Sequence, residues 1–231
     1  MSARKPIVAI DGPVGVGKSS VAALLAKRLG FVYIDTGAMY RAVTLKALRQ
    51  NINLENQEAV AALAQTIELR FVREQSDLRI LCDGEDVSEA IRAPEVSRGT
   101  SPVADNVKVR ECLVAMQQAL GREGGVVMEG RDIGTVVFPD AEIKIYLNAD
   151  PKVRADRRYR QLVEKGKPAD FESTYQDLIE RDRRDAMRPV GALKMADGAI
   201  EFDSSKLNQE QVIEQLYNVV ISHPSASSHF C

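Results

Sequence analysis

Histidine and cysteine are scarce in this chain of 231 residues, and their positions argue against several kinds of catalytic site. The two histidines, His223 and His229, both lie in a serine-rich stretch near the C-terminus, so a reaction centred on histidine is not expected. The three cysteines, Cys82, Cys112 and Cys231, are far apart and match neither a zinc-binding nor a redox spacing. We therefore expect reduced thiols of the kind found in intracellular proteins.

Long apolar runs and a strong excess of one charge are also missing. No run reaches the roughly 18 uncharged apolar residues of a membrane-spanning helix, and the apolar run at residues 7–10 is too short for a secretion signal. The chain has 31 Lys and Arg against 33 Asp and Glu, a formal charge of −2, which argues against a generally basic nucleic-acid binder. We expect a cytoplasmic monomer that binds neither membrane nor nucleic acid.

Short apolar runs alternate with helical patterns along most of the chain. Between stretches with the apolar spacing of a helix lie runs rich in β-branched residues, each bounded by Gly, Asp, Asn or Pro as buried parallel strands are. These runs are residues 7–10, 32–34, 126–128, 143–147 and 200–202. The alternation predicts an α/β fold whose central five-stranded parallel sheet is flanked by helices.

A different pattern interrupts this alternation at about residues 67–98. Apolar and charged residues alternate over residues 67–71, and apolar residues alternate again over residues 78–82, before a turn at Asp83-Gly84. The pattern predicts a short antiparallel hairpin, with a third strand near Val87. We expect an insert within a single domain of residues 1–222, followed by a flexible tail at residues 223–231.

A glycine-rich segment follows the first predicted strand and precedes a predicted helix. Residues 12–19, GPVGVGKS, fit the pattern G-x-x-x-x-G-K-[ST], in which backbone N–H groups surround phosphate oxygens. In this pattern the lysine, here Lys18, reaches the β- and γ-phosphates, and the hydroxyl of Ser19 can bind Mg²⁺. The strand before it and the helix after it make the pattern specific, so we predict a nucleotide-binding site.

Arginines are concentrated in two predicted helices towards the end of the chain. Four occur within residues 154–160 and four within residues 181–188. In the second helix, the apolar spacing leaves four residues together on the outer side, which are Arg181, Arg184, Asp185 and Arg188. Arginines four residues apart repel each other, and an anion shared between them would relieve the repulsion. A solvated helix face with salt bridges is the alternative.

Other features of the sequence indicate which class of nucleotide-binding protein contains this loop. The chain contains neither D-x-x-G nor [NT]-K-x-D, the patterns expected for a γ-phosphate sensor and a guanine reader. Arginines and magnesium suit phosphoryl transfer, which develops negative charge on the transferred group. Charged turns at residues 35–41 and 129–132 follow predicted strands, at the sheet edge where ligands bind. A local ion pair on a surface turn is the alternative for Arg131 and Asp132, but two charged turns beside a phosphate loop favour a second substrate site. Taken alone, Arg110 is better explained as a solvated arginine.

Five segments together resemble bacterial cytidylate kinases. In chain order they are IDGPVGVGKSSVA, DTGAMYRA, EGRDIGTVVFPDA, RADRRYRQL and ERDRRDAMRP, and the matching region runs from about residue 8 to residue 203. The resemblance implies transfer of a phosphoryl group from ATP to CMP or dCMP with Mg²⁺, on a nucleoside-monophosphate-kinase fold. It implies a lid at about residues 151–190 and an enlarged monophosphate-binding region. Thr36 stands where some relatives carry Ser, and Glu129 where others carry Asp.

The resemblance also implies roles for the residues that match the family pattern. ATP would be bound by Gly12, Pro13, Val14, Gly15, Val16, Gly17, Lys18, Ser19 and Ser20, with Ser19 also binding Mg²⁺. CMP would be bound by Thr36, Tyr40, Arg41, Ser101, Arg110, Arg131, Asp132, Arg181, Asp185 and Arg188. The catalytic residues would be Lys18, Arg131, Asp132, Arg157, Arg158 and Arg188, of which Arg157 and Arg158 belong to the lid.

Two other functions stay open at this point. One is a P-loop kinase for a different small acceptor, such as another nucleoside monophosphate. The other is a nucleotide sensor or RNA-binding protein that uses its arginine-rich helices without catalysis. The acidic residues Asp156, Asp182 and Asp185 stand among those arginines, which weighs against a nucleic-acid-binding stripe.

Overall fold

The computed structural model describes residues 4–74 and 77–226, which fall into two compact units. The first unit lies within Met1–Tyr33 and Glu123–Cys231, and the second within Ile34–Arg122. Most of the predicted tail, residues 227–231, and part of the polar stretch of the predicted hairpin lie outside the described residues. The single-domain organisation and the flexible tail stay predictions.

The regular elements alternate along the chain as the sequence pattern predicts. The strands are β1 (Ile7–Asp11), β2 (Val32–Asp35), β3 (Leu69–Glu74), β4 (Asp77–Cys82), β5 (Glu85–Asp86), β6 (Val126–Gly130), β7 (Ile143–Asn148) and β8 (Ile200–Asp203). The α-helices are α1 (Lys18–Leu29), α2 (Thr36–Arg49), α3 (Gln57–Thr66), α4 (Pro94–Asp105), α5 (Val107–Gly121), α6 (Pro151–Glu164), α7 (Phe171–Met187) and α8 (Gln209–Ser222). A 3₁₀ turn at Ala90–Arg92 precedes α4, and a π-helical turn at Ile133–Val137 follows β6.

The larger sheet has five strands in the order β2-β6-β1-β7-β8, which confirms the predicted fold class. The strand β1 lies at its centre and pairs in parallel with β6 and β7. Every residue of β1 and β6 is buried, because apolar side chains on both faces are covered. Leu25 of α1 and Leu216 of α8 belong to the same core as Ile10 and Ile145 of the sheet. The carboxyl ends of the strands are therefore held by a rigid core.

The second unit contains the predicted antiparallel hairpin. The strands β3 and β4 pair in antiparallel register from Leu69 opposite Cys82, and β5 adds a third strand directly before Val87. Ile80 on β4 packs in a core with Met39 of α2 and Leu113 of α5. The sequence prediction of the hairpin is confirmed, and its role as an insert of the monophosphate-binding region stays a prediction.

The helices α6 and α7 form a hairpin within the first unit. The side chain of Asp150 caps α6 by accepting from the amide of Lys152 at 2.8 Å, and Asp170 caps α7 by accepting from the amide of Ser173 at 2.7 Å. The rings of Tyr159 and Phe171 meet edge to face, 6.4 Å apart. No helix within residues 4–74 and 77–226 has the length and apolar character of a membrane span.

Candidate active site

The phosphate loop of the first unit connects β1 to α1 and passes close to a neighbouring strand. Gly12 has a φ of +154°, and a Cβ atom added to it would lie 2.0 Å from the carbonyl oxygen of Leu147 on β7. Gly15 has a φ of +77°, in the left-handed region that glycine adopts without steric cost. The strand, the loop and the helix follow one another as predicted, and the two glycines allow the loop to fold closely.

Lys18 is enclosed by the phosphate loop. Its Nζ donates hydrogen bonds to the carbonyl oxygens of Gly12 and Pro13, both at 2.8 Å. Burial lowers the pKa of Lys18 to about 7, and the positive charge of Arg131 acts in the same direction. A negatively charged group beside Lys18 would favour its protonated form, so the loop is suited to an anion such as phosphate.

Ser19 and Glu129 bring two oxygen atoms together at the start of α1. The hydroxyl of Ser19 donates to Oε1 of Glu129 at 2.5 Å, and the hydroxyl of Tyr33 donates to the same atom at 3.3 Å. Mg²⁺ prefers oxygen ligands and is usually held by one or two protein groups together with substrate phosphates and water. Ser19 and Glu129 fit such an ion, because both are oxygen donors beside the phosphate loop.

Asp11 fixes the turn that carries Asp132. At the end of β1, the two oxygens of its buried carboxylate accept from the amides of Ile133 at 2.9 Å and Gly134 at 2.8 Å. Asp132, which directly precedes these amides, is itself buried. The backbone that directly follows the predicted base-binding aspartate is thus anchored to the central strand.

We expect the free energy of unfolding to fall as the pH rises from about 4 to about 6, because Asp11 is buried. Burial raises its pKa from 3.8 to about 6, so in this range the folded protein retains a proton that the unfolded chain releases. The shift corresponds to about 3 kcal/mol, present near pH 4 and lost above pH 6. Urea unfolding between pH 4 and pH 7 should show this loss in the wild type but not in Asp11→Asn. Parallel pH profiles of the two proteins would contradict it.

A buried carboxylate, Asp185, holds two arginines of the predicted acceptor site. Its Oδ2 accepts from Nε of Arg131 and its Oδ1 from Nη2 of Arg188, each at 2.7 Å. Burial by itself would raise the pKa of Asp185, but the charges of Arg131, Arg188 and Arg181 hold it below its usual value. The carboxylate therefore stays ionised and keeps both guanidinium groups in fixed positions.

The predicted outer face of the second arginine-rich helix was wrong. Asp185 and Arg188 are both buried. The helix α7 ends at Met187 and the backbone is extended at Arg188, so Arg188 does not continue the outer face of the helix. Pro189 follows Arg188 and disfavours a helical conformation there. Arg184 does remain exposed, where it donates to Glu180 at 2.8 Å. Arg184 and Arg188 are bound to different carboxylates, Glu180 and Asp185, so no anion shared between these two arginines is needed to offset their repulsion.

The two predicted lid arginines lie in different surroundings. Nη2 of Arg157 donates to the carbonyl oxygens of Ser204 at 2.6 Å and Leu207 at 3.3 Å, so its guanidinium is held against the backbone that follows β8. Arg158 is exposed and donates to Gln161 at 2.6 Å on its own helix. Of the two arginines, only Arg158 is exposed to solvent. Contact of either side chain with a phosphate stays a prediction.

The second unit contains the other predicted acceptor residues. Asp35 caps α2 with Oδ1, which accepts from the amide of Ala38 at 2.9 Å, and with Oδ2 it accepts from Nη2 of Arg41 at 2.8 Å. Thr36 and Tyr40, on the first turns of the same helix, are buried. The same carboxylate that starts the helix thus orients Arg41.

Arg110 is buried, so its interpretation as a solvated arginine was wrong. Its Nη1 donates to the carbonyl oxygen of Ala104 at 3.1 Å, and its guanidinium lies 5.5 Å from the centre of the Tyr40 ring. Ser101, half-buried on α4, belongs to the same unit. Burying a guanidinium is costly without such partners, so Arg110 is not a solvated surface arginine, and its contact with an acceptor stays a prediction.

Comparison with known proteins shows the family of this chain. Residues 8–222 match the family model described as cytidylate kinase. The chain belongs to the cytidylate kinase family. It is 48% identical over 214 residues to "Cytidylate kinase" of Citrifermentans bemidjiense, covering 93% of this chain and 92% of the relative. It is 44% identical over 214 residues to "Cytidylate kinase" of Bacillus anthracis (strain CDC 684 / NRRL 3495), covering 93% and 95%. Membership makes the protein a kinase.

A solved structure shares the fold at much lower sequence similarity. An uncharacterised protein from Eubacterium ventriosum aligns over 94% of this chain and 99% of its own, with 11% identity and a TM-score of 0.50. Identity this low shows the fold alone. The family assignment therefore depends on the sequence relatives, which cover the phosphate loop and both arginine-rich helices.

Sequence reasoning missed the residues that hold the functional groups in place. Asp11 received no role, although a charged residue at the end of a buried parallel strand is a recognisable signal. The contact of Glu129 with Ser19 joins residues 110 positions apart, so no local pattern shows it. Arg154, which is buried and donates to the carbonyl oxygen of Val14 in the phosphate loop, was counted only as one of four arginines in the first arginine-rich helix.

Proposed function

We propose that the protein transfers the γ-phosphoryl group of ATP directly, in line, to CMP and dCMP. Phosphorylation of CMP by ATP is the function of the family to which the chain belongs. The observation that carries the proposal is the cluster of Arg131, Asp185 and Arg188, within the same unit as the loop around Lys18. Buried, oriented guanidinium groups suit an acceptor that is itself a phosphate.

The phosphate loop and Lys18 are the proposed ATP-binding groups. Residues 12–20 supply backbone N–H groups and the positive end of the α1 dipole, both of which favour a triphosphate. Lys18 neutralises charge on the β- and γ-phosphates. Mg²⁺, when bound, would neutralise further phosphate charge, and Ser19 with Glu129 would hold it.

The acceptor is proposed to be held by the residues that match the family pattern. Its phosphate would be bound by Arg41 and Arg131, and its sugar by Arg181 and Asp185. Its cytosine would be surrounded by Thr36, Ser101, Arg110 and Asp132, of which Asp132 accepts from the exocyclic amine. Arg188 would act between the base and phosphate contacts, and Tyr40 is assigned to the same acceptor. The acceptor phosphate is already a nucleophile, so positioning supplies most of the catalysis and no general base beyond Asp132 is invoked. Arg157 and Arg158 are the proposed lid residues.

Uridine monophosphate is expected to be a poor acceptor. Uracil presents an oxygen where cytosine presents its amine, so the carboxylate of Asp132 would face an acceptor instead of a donor. A buried polar group left with such a mismatch costs more than one lost hydrogen bond. We expect kcat/KM for UMP to be at least about 100-fold below that for CMP. Comparable values for the two would remove Asp132 as the base-reading group.

An ADP-release assay across the four nucleoside monophosphates and dCMP tests the function. CMP and dCMP should give turnover, and the other monophosphates little. Preference for another monophosphate would favour the rival kinase. Tight ATP binding without turnover on any acceptor would favour a sensor, and a steeply salt-dependent affinity for RNA would favour an RNA-binding protein.

We also propose that the enzyme acts in the cytoplasm as a monomer, without a nucleic-acid or membrane partner. The balance of 31 basic and 33 acidic residues supports the absence of a nucleic-acid partner, because it leaves no general basic character. The α6–α7 hairpin is the proposed lid, and the sheet of β3, β4 and β5 the proposed insert of the monophosphate-binding region. Sedimentation of the purified chain tests the monomer.

A further inference from the structure

Both backbone polar groups of Val14, in the phosphate loop, are bound by one ion pair from the α6–α7 hairpin. Its amide donates to Oδ1 of Asp182 at 3.0 Å, and its carbonyl oxygen accepts from Nη1 of Arg154 at 2.9 Å. The same Nη1 donates to Oδ2 of Asp182 at 2.5 Å. The two side chains thus close a ring of hydrogen bonds around a single loop residue.

This ion pair is far less exposed than the pair between Arg160 and Asp156 on α6. The side chain of Arg154 is 5% exposed and that of Asp182 18%, whereas Arg160 and Asp156 on α6 are 71% and 43% exposed. Nε of Arg154 also donates to the carbonyl oxygen of Ala149 at 3.0 Å. With both ends of its guanidinium fixed, Arg154 has little freedom to follow the loop if the loop shifts.

The residue after Val14 packs directly on the same two helices. A Cβ atom at Gly15 would lie 3.1 Å from Cδ1 of Leu178 on α7 and 3.4 Å from the carbonyl oxygen of Arg154 on α6. The loop is therefore bound by polar contacts at one residue and by close packing at the next. The Val14 amide already donates to Asp182, so we expect Val14 to serve ATP through the shape of the loop.

We propose that Asp182 and Arg154 are positioning residues that hold the phosphate loop in the shape that binds ATP. The inference rests on the proposed function for the identity of the ligand, but its geometry is independent of the acceptor. Asp182 lies one helical turn before Asp185, which holds Arg131 and Arg188. Loosening the loop should weaken ATP binding selectively, because Asp185 keeps its own partners.

The variant Asp182→Asn tests this with little change in size. Val14 and Arg154 donate to different oxygens of Asp182, and asparagine carries an oxygen at only one of these two positions, so one side of the ring is lost. We expect Kd for the ATP analogue AMP-PNP, measured by calorimetry without acceptor, to rise at least fivefold. Kd for CMP, measured without ATP, should change less than twofold. The matched control Asp156→Asn removes an exposed ion pair on α6 and should change neither value.

Three outcomes would overturn the proposal. They are a Kd for AMP-PNP within twofold of the wild type, an equal loss of CMP affinity, or the same loss in Asp156→Asn. If thermal unfolding shows that Asp182→Asn does not fold, the same Kd values for AMP-PNP and CMP are measured on Arg154→Lys. A lysine cannot reach Ala149, Val14 and Asp182 together, so this variant also breaks the ring. A wild type that binds AMP-PNP but does not phosphorylate CMP would contradict the proposed function, and the AMP-PNP ratios would still decide this inference.

Discussion

Replacing Lys18 by methionine is expected to lower kcat for CMP phosphorylation by about a thousandfold. Lys18 is the buried cation of the phosphate loop, and methionine keeps most of the length of its side chain without the charge. A preorganised charged group that stabilises developing negative charge contributes about 4 kcal/mol in a site protected from water, which is the factor expected here. Steady-state kinetics with saturating ATP and CMP measure it.

The Lys18→Met protein should fold, which allows the kinetic loss to be assigned to the charge. Burial disfavours the charged form of Lys18, as its lowered pKa of about 7 shows, so a neutral side chain removes a desolvation cost. The control is Lys27→Met, because Lys27 lies on the same helix but is exposed. Its kcat should equal that of the wild type. A Lys18→Met enzyme within tenfold of the wild type would remove Lys18 from the catalytic groups.

The fold was predictable where the chain carries local patterns. All five strands of the main sheet begin at the predicted residue, because a β-branched run between turn residues has few other ways to be buried. The hairpin of β3 and β4 follows its alternation in the same way. The phosphate loop was found from its glycines, since a turn this close to a neighbouring strand excludes a Cβ atom.

The orientation of the charged groups was less predictable, because it depends on contacts distant in sequence. Asp11 binds amides 122 and 123 residues away, and no periodicity connects them. The burial of Arg110 depends on the carbonyl oxygen of Ala104 and on Tyr40, which come together only when α2, α4 and α5 pack. Arg188 is different, since Pro189 was visible in the sequence and predicts the end of the helix.

Asp185→Ala is expected to lose both stability and activity, and α7 offers a matched control. Asp185 and Glu180 each accept hydrogen bonds from two arginines. Asp185 accepts from Arg131 and Arg188 in a buried cluster. Glu180 accepts from Arg183 and Arg184 at the surface. Removing Asp185 leaves the guanidinium groups of Arg131 and Arg188 near each other without their carboxylate. Losing one partner of a buried pair costs about 3 kcal/mol in the free energy of unfolding.

The same change should lower kcat/KM for CMP at least about 100-fold, because the acceptor arginines lose their fixed positions. Glu180→Ala should leave kcat/KM and the unfolding midpoint close to those of the wild type, since water solvates Arg183 and Arg184 when the carboxylate is gone. Urea unfolding and steady-state kinetics on both variants measure the contrast. Equal losses of activity and stability in the two variants would contradict the prediction. They would mean that the buried Asp185 contributes no more than the exposed Glu180.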